Sequence, residues 1–290
     1  MAKTLFAANQ INSLRERYYR ALTGKEALVS LINETEVSEH VYNSNAIENS
    51  TLSLEETEKI LLQVELDRYV NEREIFEAKN LARVMSYVET KAKAQELNLE
   101  TILLLHKMLI SNIDDSIAGR FRSKGEYVRV GNYIAPAPEE VVPQLEEMIA
   151  EFQASAGEEI INRIARLHLT FEHIHPFCDG NGRIGRVLNN YLLIREGYVP
   201  INIKFADRGE YYQAFKDFDT KQNTQVMSEI VARALAVSYH KRLAYLEGKK
   251  IITLAEYAKS HELAHSGLIN KANRQTIEAF LEKGIWKIGV

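Results

Sequence analysis

Apolar residues recur at helical spacing through most of the chain. Ile160, Ile161, Ile164, Leu167, Phe171 and Ile174 form one stripe; Ile184, Val187, Leu188, Tyr191 and Leu192 form a second, closed by Gly197. Ser53-Leu54-Glu55-Glu56 has the form of a capping box, in which the serine and glutamate side chains each take up a free N–H, and it predicts a helix running to Leu66. One stretch departs from this period. In Glu126 to Ala135, β-rich arms flank Gly131-Asn132, which predicts a short hairpin, and Pro136, Pro138 and Pro143 punctuate the approach to another helix. Thr253 to Phe280 predicts two short helices with a turn at Leu263 to Ser266, followed by a longer amphipathic segment. The fold class expected is mainly α, with a short β-hairpin. Three segments are expected: 1–27, an N-terminal helical segment; 28–247, the main domain; and 248–290, a small module after a joint at Leu246 to Lys250.

Composition narrows the class without naming a function. A length of 290 residues suits one large domain or two modest ones, and 46% hydrophobic with 26% charged residues is ordinary for a globular protein. The single cysteine, Cys178, excludes an internal disulfide framework and a cysteine-rich zinc module. The N-terminal residues lack an apolar leader, and Ile102 to Ile110, broken by His106 and Lys107, is too short to span a bilayer, so the expected setting is the cytoplasm, with no membrane partner. A net charge of −4 argues against nucleic-acid binding over the whole surface. From Gly248 onward seven basic residues face four acidic ones, so any contact with DNA is expected in residues 250–290.

The chemistry concentrates in His175-Pro176-Phe177-Cys178-Asp179-Gly180-Asn181-Gly182-Arg183-Ile184-Gly185-Arg186. Pro176 disfavours helical geometry in the residue before it, so the first stripe must end near His175. Gly180-Asn181-Gly182 can take positive φ and let backbone N–H groups converge on an anion, and the helix beginning there aims its positive end at the same place. Arg183 and Arg186 stand three residues apart on one helix face, and two guanidinium forks suit a polyphosphate better than a single carboxylate. Asp179 is a hard oxygen ligand of the kind Mg²⁺ takes alongside substrate phosphates. His175 is the nearby group whose ordinary pKa suits a general base. Together these describe a nucleotide-phosphate transfer site.

The stretch resembles the signature of Fic-domain proteins, HPFx(D/E)GNGRxxR, at every defined position, and the resemblance extends over roughly Leu28 to Lys241. It implies a helical Fic core with a hairpin flap, and transfer of AMP from ATP to a Ser, Thr or Tyr hydroxyl of a target protein or of the chain itself. By position, His175 would deprotonate the hydroxyl and Asp179 would hold Mg²⁺. Gly180, Asn181 and Gly182 would cradle the phosphates, with Gly185 counted among the nucleotide-binding residues. Arg183 would neutralise charge near the transferred phosphate, and Arg186 would hold the γ-phosphate. Asn190, Tyr211 and Tyr212 fall where related proteins line the nucleoside pocket; for the tyrosines core packing is an equal reading. The hairpin would pin a target segment by strand addition. Several relatives are repressed within dimers, so a homodimer enters among the expected partners.

Ser44-Asn45-Ala46-Ile47-Glu48-Asn49 fits the family's inhibitory pattern, (S/T)xxxE(G/N), on a helix ahead of the core, spanning about residues 28–49. Ser44 and Glu48 lie i, i+4, and a carboxylate paired with Arg186 would take the partner of the γ-phosphate. Other residues invite plainer readings. His168 is expected to be a packed or hydrogen-bonded helix residue, His173 simply exposed, and Cys178 a bystander at a variable position. The tail resembles helix-turn-helix or winged-helix modules, in which Lys271 and Arg274 would lie on or near a DNA-reading helix. The alternatives carried forward are removal of AMP on the same scaffold, and a nucleotide-sensing DNA-binding regulator acting through that tail.

Overall fold

Both apolar stripes form helices, and the six residues between them make the turn that carries the motif. A computed structural model describes residues 2–131 and 133–290. In chain order the elements are α1 (Ala2–Leu22), α2 (Glu26–Ile47), α3 (Leu54–Leu61), α4 (Glu72–Lys91), α5 (Leu99–Ile110), β1 (Arg129–Val130), β2 (Tyr133–Ile134), α6 (Val141–Ala154), α7 (Ile160–Ile174), α8 (Asn181–Arg195), α9 (Arg208–Lys221), α10 (Gln225–Leu246), β3 (Ile251–Thr253), α11 (Leu254–Ser260), α12 (His265–Asn273), β4 (Ala279–Glu282) and β5 (Ile285–Gly289). The fold is mainly α, as the period of the apolar residues requires. Among the described residues, no helix is long and apolar enough to cross a membrane.

The contacts divide the chain into two compact units. One comprises Ser38–Tyr198 and Ile203–Ser228 and holds the motif. At its centre α7 packs on α8, and Ile161, Ile164, Phe171, Ile184, Leu188 and Tyr191 are fully buried. Burial of each such side chain stabilises the fold by roughly 1.5–3 kcal/mol, which makes this pair a rigid base for the turn between them. Helix α4 packs on α5 and α8, and α9 packs on α7, so three further helices brace the α7–α8 pair.

The capping box forms: Ser53 Oγ accepts from the Glu56 N–H at 3.1 Å, and Glu56 Oε2 accepts from the Ser53 N–H at 2.8 Å. The helix it opens is shorter than the sequence suggests, ending at Leu61 instead of Leu66. Gln63 turns left-handed (φ 58°), the Val64 N–H closes back on the Lys59 carbonyl at 2.8 Å, and Leu62 and Val64 face solvent. With no apolar face left to bury, a helix stop of the Schellman kind wins. The hairpin also forms, with arms only two residues long, pairing Arg129 with Ile134 and Val130 with Tyr133. Of its turn, Gly131 is left-handed (φ 59°), while Asn132 lies outside the described residues.

The other unit contains the chain up to Val37, Val199–Asn202 and Glu229–Val290. It cuts the chain differently from the three segments expected, because residues 248–290 share it with α1 and most of α10. Arg17 of α1 accounts for part of this, bonding to Glu247 at 2.6 Å and to Glu278 at 2.5 Å. Within residues 248–290, α11 and α12 pack through Leu254, Ala258, Leu268 and Ala272 against Ala279 and Ile288. The segment after α12 is not one long amphipathic stretch. It folds back as β4 and β5, which with β3 form an antiparallel sheet of order β3-β5-β4. Lys283 and Gly284, both at positive φ, make the two-residue turn that a right-twisted hairpin needs. Lys271 lies near the end of α12 and Arg274 caps it, and both are exposed.

Candidate active site

The site starts from a strained residue. Helix α7 stops at His175, whose N–H still bonds to the Phe171 carbonyl at 3.0 Å while its own backbone turns left-handed (φ 49°) ahead of Pro176. A non-glycine residue adopts this conformation only where its surroundings insist on it. The Arg122 guanidinium supplies much of the insistence. It is buried and donates to the carbonyls of His175 (2.8 Å) and Ile174 (3.2 Å), and also to those of Glu126 (3.0 Å) and Pro136 (2.9 Å), so the turn and both ends of the hairpin segment hang on one side chain. His106 of α5 holds the next part. Its ring stacks on Phe177 at 3.7 Å; Nδ1 accepts from the Gly119 N–H, leaving Nε2–H to donate to the Asp179 carbonyl at 3.0 Å.

Asn181 closes the loop with its side chain. Its amide accepts from the Phe177 N–H (2.9 Å) and donates to the Phe177 carbonyl (2.8 Å), so what it offers an anion is backbone. Gly180 is the left-handed cap of α8 (φ 81°), and a Cβ there would lie 3.1–3.2 Å from Ile110 and Leu109. Gly180→Ala is therefore expected to lower stability by about 1–2 kcal/mol, the usual cost of forcing an L side chain into this region; a urea midpoint equal to wild type would contradict the arrangement. Gly182 sits inside α8, where a Cβ would overlap Glu48 Oε1. Gly185 faces α7, with its missing Cβ 2.5 Å from Glu172 Oε1 and 3.0 Å from His168 Cε1. It makes room for buried side chains of α7.

Two arginines of α8 are occupied by protein carboxylates. Buried Arg186 donates from Nε to Ser44 Oγ (2.9 Å), and from Nη2 to the Ser44 carbonyl (2.9 Å) and Glu48 Oε1 (2.8 Å). Its Nη1 reaches the Tyr211 hydroxyl at 3.2 Å, which in turn meets His168 Nε2 at 2.7 Å. Ser44 lies in the last turn of α2 and Glu48 just past its end, so the two partners come from one turn of chain. Arg183, also buried, pairs with Glu77 of α4 at 3.0 Å and with Asp179 at 3.2 Å. Arg73, one turn earlier on α4, bonds to Asp179 Oδ2 at 2.5 Å and to Glu77 at 3.1 Å, which closes a ring of two cations and two carboxylates. Burial alone would raise Asp179, but Arg183 and Arg73 outweigh it and hold the carboxyl below its usual range.

A cavity of about 130 Å³ opens beside the turn, lined among others by Glu48, Glu172, His175, Gly182, Tyr211 and Tyr212 together with Val130 and Tyr133 of the hairpin. Burial pushes His175 down to about 4, only partly offset by the bond of Nδ1 to the Glu172 carbonyl at 3.3 Å, so the imidazole is neutral at pH 7. Burial also pushes His168 down to about 3, and that residue is the hydrogen-bonded helix histidine expected. His173 differs from expectation. It is half-buried, with Nε2 2.8 Å from the Tyr133 hydroxyl and Nδ1 3.0 Å from Asp219, and so ties the hairpin to α9. Burial, then Glu126, pushes the Cys178 thiol up, away from the thiolate a nucleophile needs. Tyr211 is fully buried in the Arg186 network, and Tyr212 borders the cavity with its hydroxyl 3.3 Å from the Ile47 carbonyl. Asn190 is half-buried on α8 and is not part of the cavity lining.

Residues 96–193, which contain the turn, both stripes and His106, match the family model described as Fic/DOC family. Residues 96–193 form a Fic domain. Among curated relatives it is 32% identical over 213 residues to protein adenylyltransferase Fic of Nematostella vectensis, covering 71% of this chain and 48% of the relative. It is 28% identical over 295 residues to the protein of the same name from Drosophila melanogaster, covering 96% and 59%. The chain thus spans about half the length of the curated relatives it matches. Among solved structures, Fic-1 from C. elegans superposes with a TM-score of 0.73 at 26% identity, over 83% of this chain and 72% of that one. A Fic domain protein from Bacteroides thetaiotaomicron gives the same TM-score at 23% identity, over 83% and 97%, and shares the fold.

The sequence leaves Arg122, His106, Arg73 and Glu77 unremarked as parts of the site. For His106 a signal exists: it shares a helix face with Ile102, Leu105 and Leu109, all buried, where a polar ring has to find partners. Arg122 stands in an irregular stretch, and nothing in its neighbours announces four backbone acceptors.

Proposed function

We propose that this Fic domain is a protein adenylyltransferase held in check by its own Glu48. The observation that carries the reading is Arg186, buried and fully engaged by Ser44, Glu48 and Tyr211 beside a neutral, mostly buried histidine. Two arginines on one helix start are far more than a structural turn needs, and the chain's own carboxylates neutralise both. A polyphosphate is the ligand those carboxylates imitate.

ATP would lay its phosphates against the N-terminus of α8, with Arg186 on the γ-phosphate and Arg183 near the phosphate transferred. His175 Nε2 would take the proton of a target Ser, Thr or Tyr hydroxyl as its oxygen bonds to the α-phosphorus and the bond to the departing pyrophosphate breaks. The residues present fit a magnesium ion of the kind that binds one carboxylate and the substrate's phosphates, because Asp179 stays ionised and faces the helix start. That ion would supply charge neutralisation at the phosphates. The acceptor belongs to a target protein or to the chain itself. Residues 28–247 would form the catalytic part and 248–290 an accessory module. A DNA-binding role for residues 250–290 has only the order of its elements behind it.

The cavity at the turn, about 130 Å³ with Glu48 in place, is well below the roughly 300–1,000 Å³ of ligand pockets. Mass spectrometry of the full chain after incubation with Mg²⁺ and ATP tests the reading. A peptide carrying an AMP adduct supports it; no adduct on the chain or on added cell protein, in wild type and Glu48→Gly alike, overturns it. Removal of AMP is the second reading of the same site. Its specific support is that Glu48 and His175 border one cavity, where a water could be oriented between them.

Arg73 occupies the carboxylate a magnesium ion would need. Arg73→Ala is expected to lower the Mg²⁺ concentration for half-maximal AMP transfer by about two- to fivefold, the range for an ion pair worth up to ~1 kcal/mol. A Mg²⁺ titration that is unchanged, or shifted upward, would show that Arg73 does not compete for Asp179.

A further inference from the structure

One carboxyl at the site has no task in the chemistry above. Glu172 lies one turn before His175 on α7 and borders the same cavity, yet its Oε1 is closed off from solvent and has no hydrogen-bond partner. Its Oε2 lies 3.9 Å from His175 Nδ1. The nearest side-chain carboxylate acceptor to that ring nitrogen is therefore Glu172, whose own backbone carbonyl is the acceptor 3.3 Å from Nδ1. Buried polar atoms without partners are rare in folded proteins and call for a reason. A Cβ at Gly185 would lie 2.5 Å from Glu172 Oε1 and 3.0 Å from His168 Cε1, so the carboxyl packs directly against the α8 backbone.

We propose that Glu172 is a positioning residue for His175, its carboxylate stabilising the imidazolium that forms when Nε2 takes the proton of the target hydroxyl. The inference rests on reading the site as an AMP transferase with His175 as its base. The geometry is that of a histidine with a free Nε2, an Nδ1–H directed at one residue's carbonyl, and that residue's carboxyl within a small closing motion. Hydrogen bonds at catalytic sites are commonly long before substrate binds and tighten afterwards. A carboxylate beside Nδ1 favours the charged ring, as in hydrolytic triads.

The groups facing this pair explain why the carboxyl is idle while Glu48 is in place. Glu172 feels Glu48 just past α2, Arg186 of α8 and Tyr211 of α9, and His168, one turn earlier on its own helix, lines the same space at Gly185; His175 also feels Arg122 and Asp179. Burial first, and then the Glu48 carboxylate, pushes Glu172 up to about 8, so it is neutral at pH 7 and lends His175 no negative charge. Withdrawal of Glu48 removes one of the two influences that keep it protonated. The same movement that frees Arg186 for phosphate thus favours a charged partner for the base.

The test compares Glu48→Gly with Glu48→Gly/Glu172→Gln in the full chain. One readout is AMP transfer with kcat and KM for ATP; the other is the titration of His175 followed by NMR, which needs no turnover. The double variant is expected to lose about ten- to a hundredfold in kcat, with KM for ATP unchanged and the melting temperature unchanged or higher. Its His175 midpoint is expected at lower pH than in Glu48→Gly, and Glu172→Asp should restore part of both. Coincident His175 midpoints overturn the proposal, as does a loss of kcat matched by a lower melting temperature and a raised KM. If Glu48→Gly transfers no AMP at all, the adenylyltransferase reading fails, and the His175 midpoints still decide whether Glu172 acts on the ring.

Discussion

Glu48→Gly is expected to raise the rate of AMP transfer about 100-fold over wild type. The three bonds from Arg186 to Ser44 and Glu48 are charge-assisted or buried, and the γ-phosphate needs the same guanidinium. If loss of the Glu48 carboxylate recovers about 3 kcal/mol of transition-state stabilisation, the rate rises by that factor. Geometry favours the carboxylate over the serine as the main restraint. Glu48 Oε1 reaches to within the space a Cβ on Gly182 would fill, so it bars the helix start as well as pairing with Arg186. Ser44→Ala should accordingly give a smaller gain, because the backbone carbonyl of residue 44 and the carboxylate both survive. Initial rates with labelled ATP decide the matter, and equal rates for wild type and Glu48→Gly would remove Glu48 from any inhibitory role.

His175→Ala in the Glu48→Gly background is expected to lower transfer by roughly 10²–10⁴-fold, the span attributed to a positioned general base. The histidine has no bond to either phosphate-directed arginine, so ATP affinity measured by calorimetry should hold while turnover collapses. The pH dependence follows from burial. His175 is held down to about 4, so it is already deprotonated over the neutral range, and a base works only in that form. Between about pH 6 and pH 8 no acid limb assignable to His175 is expected. A rate that falls steeply on acidification through about pH 6.5, the ordinary histidine value, would mean the ring is solvated during turnover. Loss of ATP binding in His175→Ala would instead assign the residue to nucleotide recognition.

The parts of the fold that a one-dimensional pattern can carry were legible. A 3.6-residue apolar period marks α7 and α8 because each buries one continuous stripe, and Ser53 with Glu56 marks a helix start because both halves of the capping box are local. What failed was set by groups far apart in sequence or by what solvent leaves unburied. Helix α3 stops at Leu61 since the residues beyond it have no core to face, and β4–β5 turns at Lys283-Gly284, a pair without the asparagine or aspartate that usually signals such a turn. The site divides the same way. His175, Asp179, Arg183 and Arg186 could be read as candidates from types and spacing, whereas the pairing of Glu48 with Arg186 followed from the resemblance to the family's inhibitory pattern. The Arg122 staple and the ring closed by Arg73 and Glu77 could not, because each is fixed by a backbone or a helix tens of residues away. The function of Gly185 depends on Glu172, a partner on the preceding helix.

The central claim is that the turn at His175 moves the α-phosphate of ATP to protein and that Glu48 restrains it. The most direct measurement incubates wild type, Glu48→Gly and Glu48→Gly/His175→Ala with Mg²⁺ and ATP labelled at either the α- or the γ-phosphate, and reads label on protein. The account predicts label from α-labelled ATP alone, strongest in Glu48→Gly and lost with His175→Ala. Label from γ-labelled ATP, or undiminished labelling without His175, would contradict it.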